Sequence, residues 1–156
     1  MQIDFSSKYL TGNEIGYIHE VLMSNQLSGD GNYTKKCQEF FFSKYNMRNT
    51  LLTTSGTHSL ELAALLLKIK KNDEVIMPSF TFPSTANAFL LRGAKIIFAD
   101  SRNDHPNIDV SQVNELVTSN TKAIVPVHYA GVACDMDLIS EIATDNGIYV
   151  IEDAAQ

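Results

Sequence analysis

The sequence of 156 residues has no tryptophan, only two cysteines and four prolines, and no stretch of about 18 apolar residues. Cys37 and Cys134 match no metal-binding or redox spacing, which excludes a disulfide-built scaffold and a Cys-ligated metal site. We expect both to be reduced thiols in or near the core. The lack of an apolar span excludes a membrane helix, and the N-terminus lacks the charge and apolar pattern of a signal peptide. These absences predict a cytoplasmic protein.

Basic residues are also scarce, and they are unevenly distributed. Twelve Lys and Arg stand against 18 Asp and Glu, giving a net charge of −6. Residues 1–78 carry eight of each sign, whereas residues 79–156 carry four basic and ten acidic residues. A nucleic-acid-binding protein needs a basic surface to neutralise phosphates, so no nucleic-acid partner is expected. The length and the hydrophobic content of 44% fit one globular domain.

The residues from about 12 to 45 are predicted to form two helices. The segment TGNE at 11–14 has the pattern of a capping box, so the first helix should cover about 12–24. The segment LSGDG at 27–31 then ends it. Thr34 is expected to cap a second helix that extends to about Tyr45. This helix has an apolar stripe of Cys37, Phe40, Phe41 and Tyr45.

From about residue 50 to residue 156 the pattern changes to alternating strands and helices. Strands are predicted at 51–53, 74–77, 95–99, 123–127 and 148–151. Helices are predicted at 60–69, at 84–91, from 109 onward and at about 135–146. Gly93 and Gly147 are the expected stops of two of these helices. Because the strands are continuously apolar and separated by helices, they indicate a three-layer α/β fold with a parallel sheet covered on both faces.

Hydroxyl residues and a glycine follow the first predicted strand, at the edge where parallel sheets bind ligands. The segment TSGTHS at 54–59 combines them with the free N–H groups of a helix start, a pattern that favours phosphate binding. Ser and Thr are equally ordinary helix caps, so this alternative stays open. The glycine fingerprint of dinucleotide-binding proteins and the Walker pattern are both absent. A nicotinamide-linked sugar oxidoreductase is therefore disfavoured.

Three side chains at the ends of later strands are candidates for contact with a planar ligand. Phe82 either stacks on such a ligand or fills the core. His128 is either a general acid–base or a hydrogen-bonded wall residue, and we favour the wall. Asp153 either faces a ring nitrogen or caps the segment that follows it. A carboxylate paired with a pyridine nitrogen keeps that nitrogen protonated, which makes the ring an electron sink.

Four segments together carry a resemblance to a known family. In order along the chain they are TSGTHSLELAALLLKIKKNDEVIMPSFTFPSTANAF, GAKIIFAD, VPVHYAGVACDMD and VIEDAAQ. They resemble the N-terminal portion of the DegT family of sugar aminotransferases, pyridoxal-phosphate enzymes of the aspartate-aminotransferase fold (fold type I). The Gly-Asp-Gly loop and the HYAGVAC-x-MD run are most similar to the dTDP-4-amino-4,6-dideoxygalactose transaminases of surface-polysaccharide synthesis. The resemblance implies that residues 1–156 are the N-terminal part of the large domain of such an enzyme.

The resemblance also implies which residues hold the cofactor phosphate and one face of its ring. Gly56, Thr57 and His58 match the turn whose backbone N–H groups bind the phosphate. Phe82 matches the aromatic residue that stacks on the ring.

The remaining ring contacts are implied for residues near Gln156. Asp153 matches the carboxylate that pairs with the pyridine nitrogen, Ala155 the small residue under the opposite face, and Gln156 the group that bonds the ring hydroxyl. The implied reaction transfers an amino group from glutamate to the 4-keto group of a dTDP-4-keto-6-deoxy sugar. The implied assembly is a homodimer or a larger homo-oligomer.

Family members are more than twice this long and use a lysine both to hold the cofactor and to move the substrate proton. None of the lysines here lies in the family's lysine motif, so we expect the chain as given to be inactive alone. The nine lysines are Lys8, Lys35, Lys36, Lys44, Lys68, Lys70, Lys71, Lys95 and Lys122. Two alternatives remain: a sugar dehydratase of the same fold, in which His replaces the lysine, and a non-catalytic fragment.

Overall fold

The structure is a computed structural model that describes residues 7–156, and these residues form two compact units. Unit 1 contains the described residues up to Leu52, and unit 2 contains Thr53–Gln156. Unit 1 has two helices, α1 (Glu14–Met23) and α2 (Asn32–Tyr45). No helix in the described part of the chain is both long and apolar enough to cross a membrane.

Both helices of unit 1 are present, but α1 starts two residues later than predicted and the N-cap of α2 lies three residues earlier. The Glu14 carboxylate reaches back as a capping box requires, accepting hydrogen bonds from the backbone N–H groups of Thr11 (2.7 Å) and Gly12 (3.0 Å). Thr11 and Gly12 lie before the helix, and α1 begins at Glu14 with Asn13 at its N-cap. Helix α2 is capped by Gly31 rather than by Thr34.

The prediction that Cys37 lies in or near the core is wrong, because Cys37 is exposed on α2. Neither helix of unit 1 contains a buried residue. Two helices and their loop provide too little apolar surface to enclose each other's side chains. The matching expectation for Cys134 in unit 2 is confirmed: Cys134 is buried, and burial raises the pKa of its thiol.

Unit 2 contains four strands and four helices. In chain order they are α3 (Gly56–Leu66), β1 (Glu74–Pro78), α4 (Pro83–Leu90), β2 (Lys95–Ala99), α5 (Val110–Leu116), β3 (Thr121–Ile124), α6 (Met136–Asn146) and β4 (Tyr149–Val150), with a 3-10 turn at Tyr129–Gly131. All strand pairs are parallel, in the order β2-β1-β3-β4. The predicted α/β fold with a parallel sheet is confirmed.

Two boundaries in unit 2 differ from the prediction in ways that affect the site. Residues 51–53 have no regular structure, so the predicted first strand is wrong. Helix α3 begins at Gly56 instead of residue 60, because the Ser55 hydroxyl caps it by accepting the His58 N–H at 3.2 Å. Strand β3 ends at Ile124 instead of residue 127, although the Val125 N–H still donates to the Ile76 carbonyl at 2.8 Å.

Helices cover both faces of the sheet and form two apolar clusters with it. Val75 and Met77 of β1 belong to the cluster made with α3 and α4, in which Phe89 is fully buried. Ile76, between them in sequence, belongs to the cluster made with α5 and α6. Successive strand residues point to opposite faces, so a fully apolar strand supplies both clusters. The three-layer arrangement therefore follows from the continuous apolar strands.

A buried carboxylate lies at the amino edge of the sheet, where β1 begins. Glu74 accepts hydrogen bonds from Thr118 Oγ1 (2.6 Å) and Lys95 Nζ (3.0 Å). These two bonds, with the Thr118 contribution larger, lower the pKa of Glu74. Glu74 is therefore a paired, structural carboxylate at the edge opposite to the strand ends considered below.

Candidate active site

The carboxyl ends of β1 and β3 lie side by side where the strand order reverses. The chain continues from β1 to β2 on one side and later places β3 on the other side of β1. Connections that leave neighbouring strands toward opposite sides open a crevice at their carboxyl ends, and open α/β sheets bind ligands there. The segments after β1, β3 and β4 carry predicted site residues or their hydrogen-bond partners.

The first turn of α3 offers two backbone N–H groups to a ligand. Gly56 and Thr57 are its first two residues, where helical N–H groups have no intrahelical acceptor. No acceptor for either group is found among the described residues. The N–H of His58 is instead bonded to Ser55, and His58 Nδ1 lies 2.5 Å from Thr54 Oγ1. The helix dipole adds to the attraction for an anion at this turn.

Hydroxyl groups connect this turn to Asp153. Thr57 Oγ1 donates to Ser84 Oγ in the first turn of α4 at 3.0 Å. The next residue, Thr85, donates from Oγ1 to Asp153 Oδ2 at 2.9 Å. The structure therefore brings together the start of α3, the start of α4 and the segment after β4. Thr57 and Asp153, which the resemblance placed at one site, lie at the two ends of this connection.

Asp153 is held through its backbone and through both carboxylate oxygens. It pairs with Val127 in an isolated parallel bridge, in which the Asp153 N–H donates to Pro126 O (2.9 Å) and the His128 N–H donates to Asp153 O (3.0 Å). The Ala155 N–H donates to Asp153 Oδ1 at 3.2 Å. Each carboxylate oxygen can accept a second hydrogen bond, so the half-buried side chain retains capacity for a ligand N–H group.

Phe82 is not a core residue, so the alternative that it fills the core is wrong. Its side chain is 73% exposed at the start of α4, where Pro83 occupies the first helical position. Pro83 fixes the direction in which the chain enters the helix. Ala155 is also exposed and has only a methyl side chain. An exposed aromatic ring and a small residue near Asp153 are compatible with a planar ligand, so stacking stays a prediction.

His128 forms a hydrogen-bonded wall, as favoured by the sequence. Its Nδ1 accepts the backbone N–H of Cys134 at 3.1 Å, so in the neutral ring the proton resides on Nε2. Nε2 lies 3.0 Å from Glu152 Oε2, and the side chain is 14% exposed. The imidazole therefore ties the loop after β3 to the residue that precedes Asp153.

Gln156 lies near the same loop. Its Oε1 accepts the backbone N–H of Ala130 at 2.7 Å. Ala130 has a left-handed backbone with φ of 53°. The amide oxygen of Gln156 is thus engaged, and the Nε2 group is left as a donor. The resemblance implies that Gln156 bonds the ring hydroxyl of the cofactor, and a free N–H group is a suitable donor for that contact.

A cavity of about 730 Å³ lies elsewhere in unit 2, along α5 and α6. Arg102, Asn107, Cys134 and Asp135 are among its lining residues, and none of the predicted cofactor residues is. The candidate residues occupy an open surface at the carboxyl edge instead. We place the candidate site at this edge because the free N–H groups of α3 and the fixed Asp153 carboxylate lie there, at the ends of parallel strands.

Comparison with known proteins identifies the family. The chain matches the DegT/DnrJ/EryC1/StrS aminotransferase family over residues 8–156. The chain belongs to this family. It is 40% identical over 147 residues to a GDP-perosamine synthase of Escherichia coli O157:H7, a match that covers 94% of the chain and 40% of the relative. The chain thus spans about two fifths of the length of the curated relatives that it matches.

Solved structures of an aminotransferase and of a sugar dehydratase share the fold. The X-ray structure of the aminotransferase from Psychrobacter cryohalolentis has a TM-score of 0.90 at 33% identity, covering 98% of this chain and 39% of that one. The E. coli GDP-4-keto-6-deoxy-D-mannose-3-dehydratase with bound hydrated pyridoxal phosphate has a TM-score of 0.86 at 27% identity, covering 96% and 40%. Pyridoxal phosphate is the cofactor that the family and its ligand-bound relatives indicate.

Proposed function

We propose that the carboxyl edge of unit 2 binds pyridoxal phosphate and serves the transfer of an amino group from glutamate to the 4-keto group of a nucleotide-linked 6-deoxy sugar. The observation that carries this proposal is the pair of hydrogen bonds that the neighbouring residues Ser84 and Thr85 make to Thr57 and to Asp153. These bonds support a site in which the start of α3 binds an anion and Asp153 binds the same ligand. Family membership supports the reaction class.

Each predicted residue receives a role that its observed surroundings allow. Gly56 and Thr57 donate their free N–H groups to the phosphate, and a Cβ at Gly56 would meet nothing within 4 Å, so this side is open. Asp153 accepts the N–H of the pyridine ring, which then supplies the electron sink for the chemistry. Phe82 covers one face of the ring, and Ala155 leaves room at the other.

Two predicted roles need qualification from the hydrogen bonds. We propose that Gln156 donates from Nε2 to the ring hydroxyl oxygen while Ala130 keeps its amide oxygen engaged. His58 was predicted as a third phosphate ligand. Binding through its backbone N–H requires release of the Ser55 bond, because one N–H donates to one acceptor well.

The lysines of unit 2 do not lie at this edge. Lys68, Lys70 and Lys71 precede β1, and Lys95 and Lys122 lie at the start of β2 and β3, so all five belong to the amino edge of the sheet. We propose that the amine that bonds the cofactor and moves the substrate proton is not among them.

The expected homodimer also stays a prediction, which sedimentation of the pure protein would test.

Borohydride reduction with equimolar pyridoxal phosphate is expected to leave no stoichiometric pyridoxyl group on any of these five lysines. An amine at the amino edge lies the length of a strand away from the phosphate turn, too far for a cofactor held there. Peptide mass spectrometry after reduction provides the measurement. A large excess of cofactor, which labels exposed lysines generally, is the control. Stoichiometric labelling at one of the five would overturn this assignment.

A second experiment tests which nucleotide the acceptor sugar carries. The resemblance implied a dTDP-linked sugar, whereas curated relatives at 40% and 34% identity are named for a GDP-linked one. We propose a GDP-linked 4-keto-6-deoxy sugar as acceptor and expect a kcat/KM at least tenfold higher than with the dTDP-linked sugar. Because the chain as given is expected to be inactive alone, each sugar is incubated with the full-length form of the protein, cofactor and glutamate, and the product is identified by mass spectrometry.

The product also separates amino transfer from dehydration by the same fold. An amino sugar gains nitrogen on the sugar ring in place of the keto oxygen, whereas a dehydratase product lacks a hydroxyl oxygen and gains no nitrogen on that ring. A deoxy product with no nitrogen on the sugar ring would replace our proposal by the dehydratase alternative. No product from either sugar with the full-length form, with cofactor demonstrably bound, would contradict both activities.

A further inference from the structure

Thr85 is a buried hydroxyl residue that the sequence analysis did not single out. Its side chain is 1% exposed in the first turn of α4, and its only acceptor within the described residues is Asp153 Oδ2, at 2.9 Å. We infer that Thr85 is a positioning residue that sets the orientation of the Asp153 carboxylate toward the ring nitrogen of the cofactor. The inference rests on the proposed function.

The direction of the Thr85 hydroxyl is fixed by a second threonine. Thr81 Oγ1 donates to Thr85 Oγ1 at 2.9 Å, so the oxygen of Thr85 is already an acceptor. A hydroxyl carries a single proton, and here that proton points to Asp153. Bonds to an ionised acceptor are stronger than neutral ones, and successive bonds polarise one another. Thr81 and Thr85 therefore form a short relay that ends on the carboxylate.

The opposite oxygen of the carboxylate is held independently. The backbone N–H of Ala155 donates to Oδ1, while Thr85 donates to Oδ2. The terminal torsion of an aspartate is otherwise broad, and rotation about it here breaks at least one of the two bonds. The carboxylate plane is consequently set before a ligand arrives. Sites that bind a ring in one orientation depend on such support from neighbouring groups.

The alternative is that Thr85 only satisfies its own hydroxyl in a buried place. That role predicts a loss of stability when the hydroxyl is removed, with no effect on Asp153 or Ala155. Positioning predicts two further changes. In the cofactor-free protein the amide resonance of Ala155 shifts, because the carboxylate that it contacts turns. With cofactor added, affinity falls because Asp153 no longer meets the ring nitrogen in line.

The test compares Thr85→Val, Thr85→Ser and Thr85→Ala with wild type. We expect Thr85→Val to weaken pyridoxal phosphate binding about tenfold, as loss of a bond to a charged group would. Thr85→Ser should stay within about threefold of wild type because it keeps the donor. Thr118→Val is the matched control, since it also removes a threonine-to-carboxylate bond, to Glu74 at the other edge. Cofactor titration and the Ala155 amide shift are the two readouts.

The outcomes separate this inference from the function on which it rests. Wild-type affinity in Thr85→Val, or an unmoved Ala155 resonance, overturns the inference while leaving the cofactor site in place. If Thr85→Val does not fold, equal affinities of Thr85→Ser and Thr85→Ala overturn it, because both lack the methyl group and differ only in the hydroxyl. Equal affinities of wild type and Asp153→Ala overturn the proposed function itself.

Discussion

Replacement of Asp153 by Asn in the full-length form of the proposed enzyme is expected to lower turnover by one to two orders of magnitude. In the proposed site the carboxylate would hold the proton on the pyridine nitrogen, whereas a neutral amide would not. Loss of a charge-assisted hydrogen bond costs about 1.5–3 kcal/mol, which corresponds to that range in rate if the bond acts mainly in the transition state. Cofactor binding should survive in part, because the substitution leaves the proposed phosphate contacts at Gly56 and Thr57 untouched.

The melting temperature of the same variant tests the competing structural role. Asp153 Oδ1 accepts the Ala155 N–H, a turn contact that the Asn side chain reproduces with its own oxygen. The Asn side chain has no second oxygen for the Thr85 hydroxyl, so replacing a purely structural Asp153 would lower the melting temperature and leave turnover unchanged. Asp137→Asn, an exposed carboxylate in α6, is the control and should leave turnover unchanged. Undiminished turnover in Asp153→Asn would exclude the pyridine contact.

The largest effect on stability is expected from Phe89→Ala. Phe89 is fully buried in the cluster formed by α3, α4 and the sheet. Removing a buried phenyl ring costs about 3–5 kcal/mol through lost transfer free energy and the cavity that remains. Marginally stable domains have only about 5–15 kcal/mol in total, so unit 2 should unfold or melt far below wild type.

Urea unfolding monitored by circular dichroism provides the measurement. Leu90→Ala is the matched control, because Leu90 is the next residue of α4 and is 49% exposed. Its change in unfolding free energy should be below about 1 kcal/mol. Equal losses for the two variants would show that the cluster around Phe89 does not hold the unit together.

The elements of unit 2 were predictable because apolar runs and glycine stops agree with the fold at every level. The start of α3 was not. From Thr53 to Ser59 inclusive, five residues have hydroxyl groups. Any of them is an acceptable helix cap, so the sequence pattern could not select Ser55. The predicted burial of Cys37 was wrong for a different reason, because periodicity identifies an apolar helix face but does not show that another surface covers it.

Residues of the candidate site could be predicted where the sequence pattern marks the end of a strand. Asp153 follows an apolar run, and Gly56 follows a turn of hydroxyl residues, so both could be recognised from local pattern. Thr85 could not, because a threonine in a helix has no distinguishing local feature. Its partner is 68 residues away, and only the parallel strands bring the two together. Contacts across such separations depend on topology rather than on sequence pattern.

The strand order determines how the sheet can be assembled during synthesis. Strand β2 pairs with β1, β3 pairs with the free side of β1, and β4 pairs with β3. Every strand thus joins one that left the ribosome earlier, and none has to be inserted between two strands that are already paired. Chains begin to fold from the N-terminal side as they are made, so the sheet can grow outward step by step. Asp153 follows β4, so it reaches the crevice after the other three of these strands have paired.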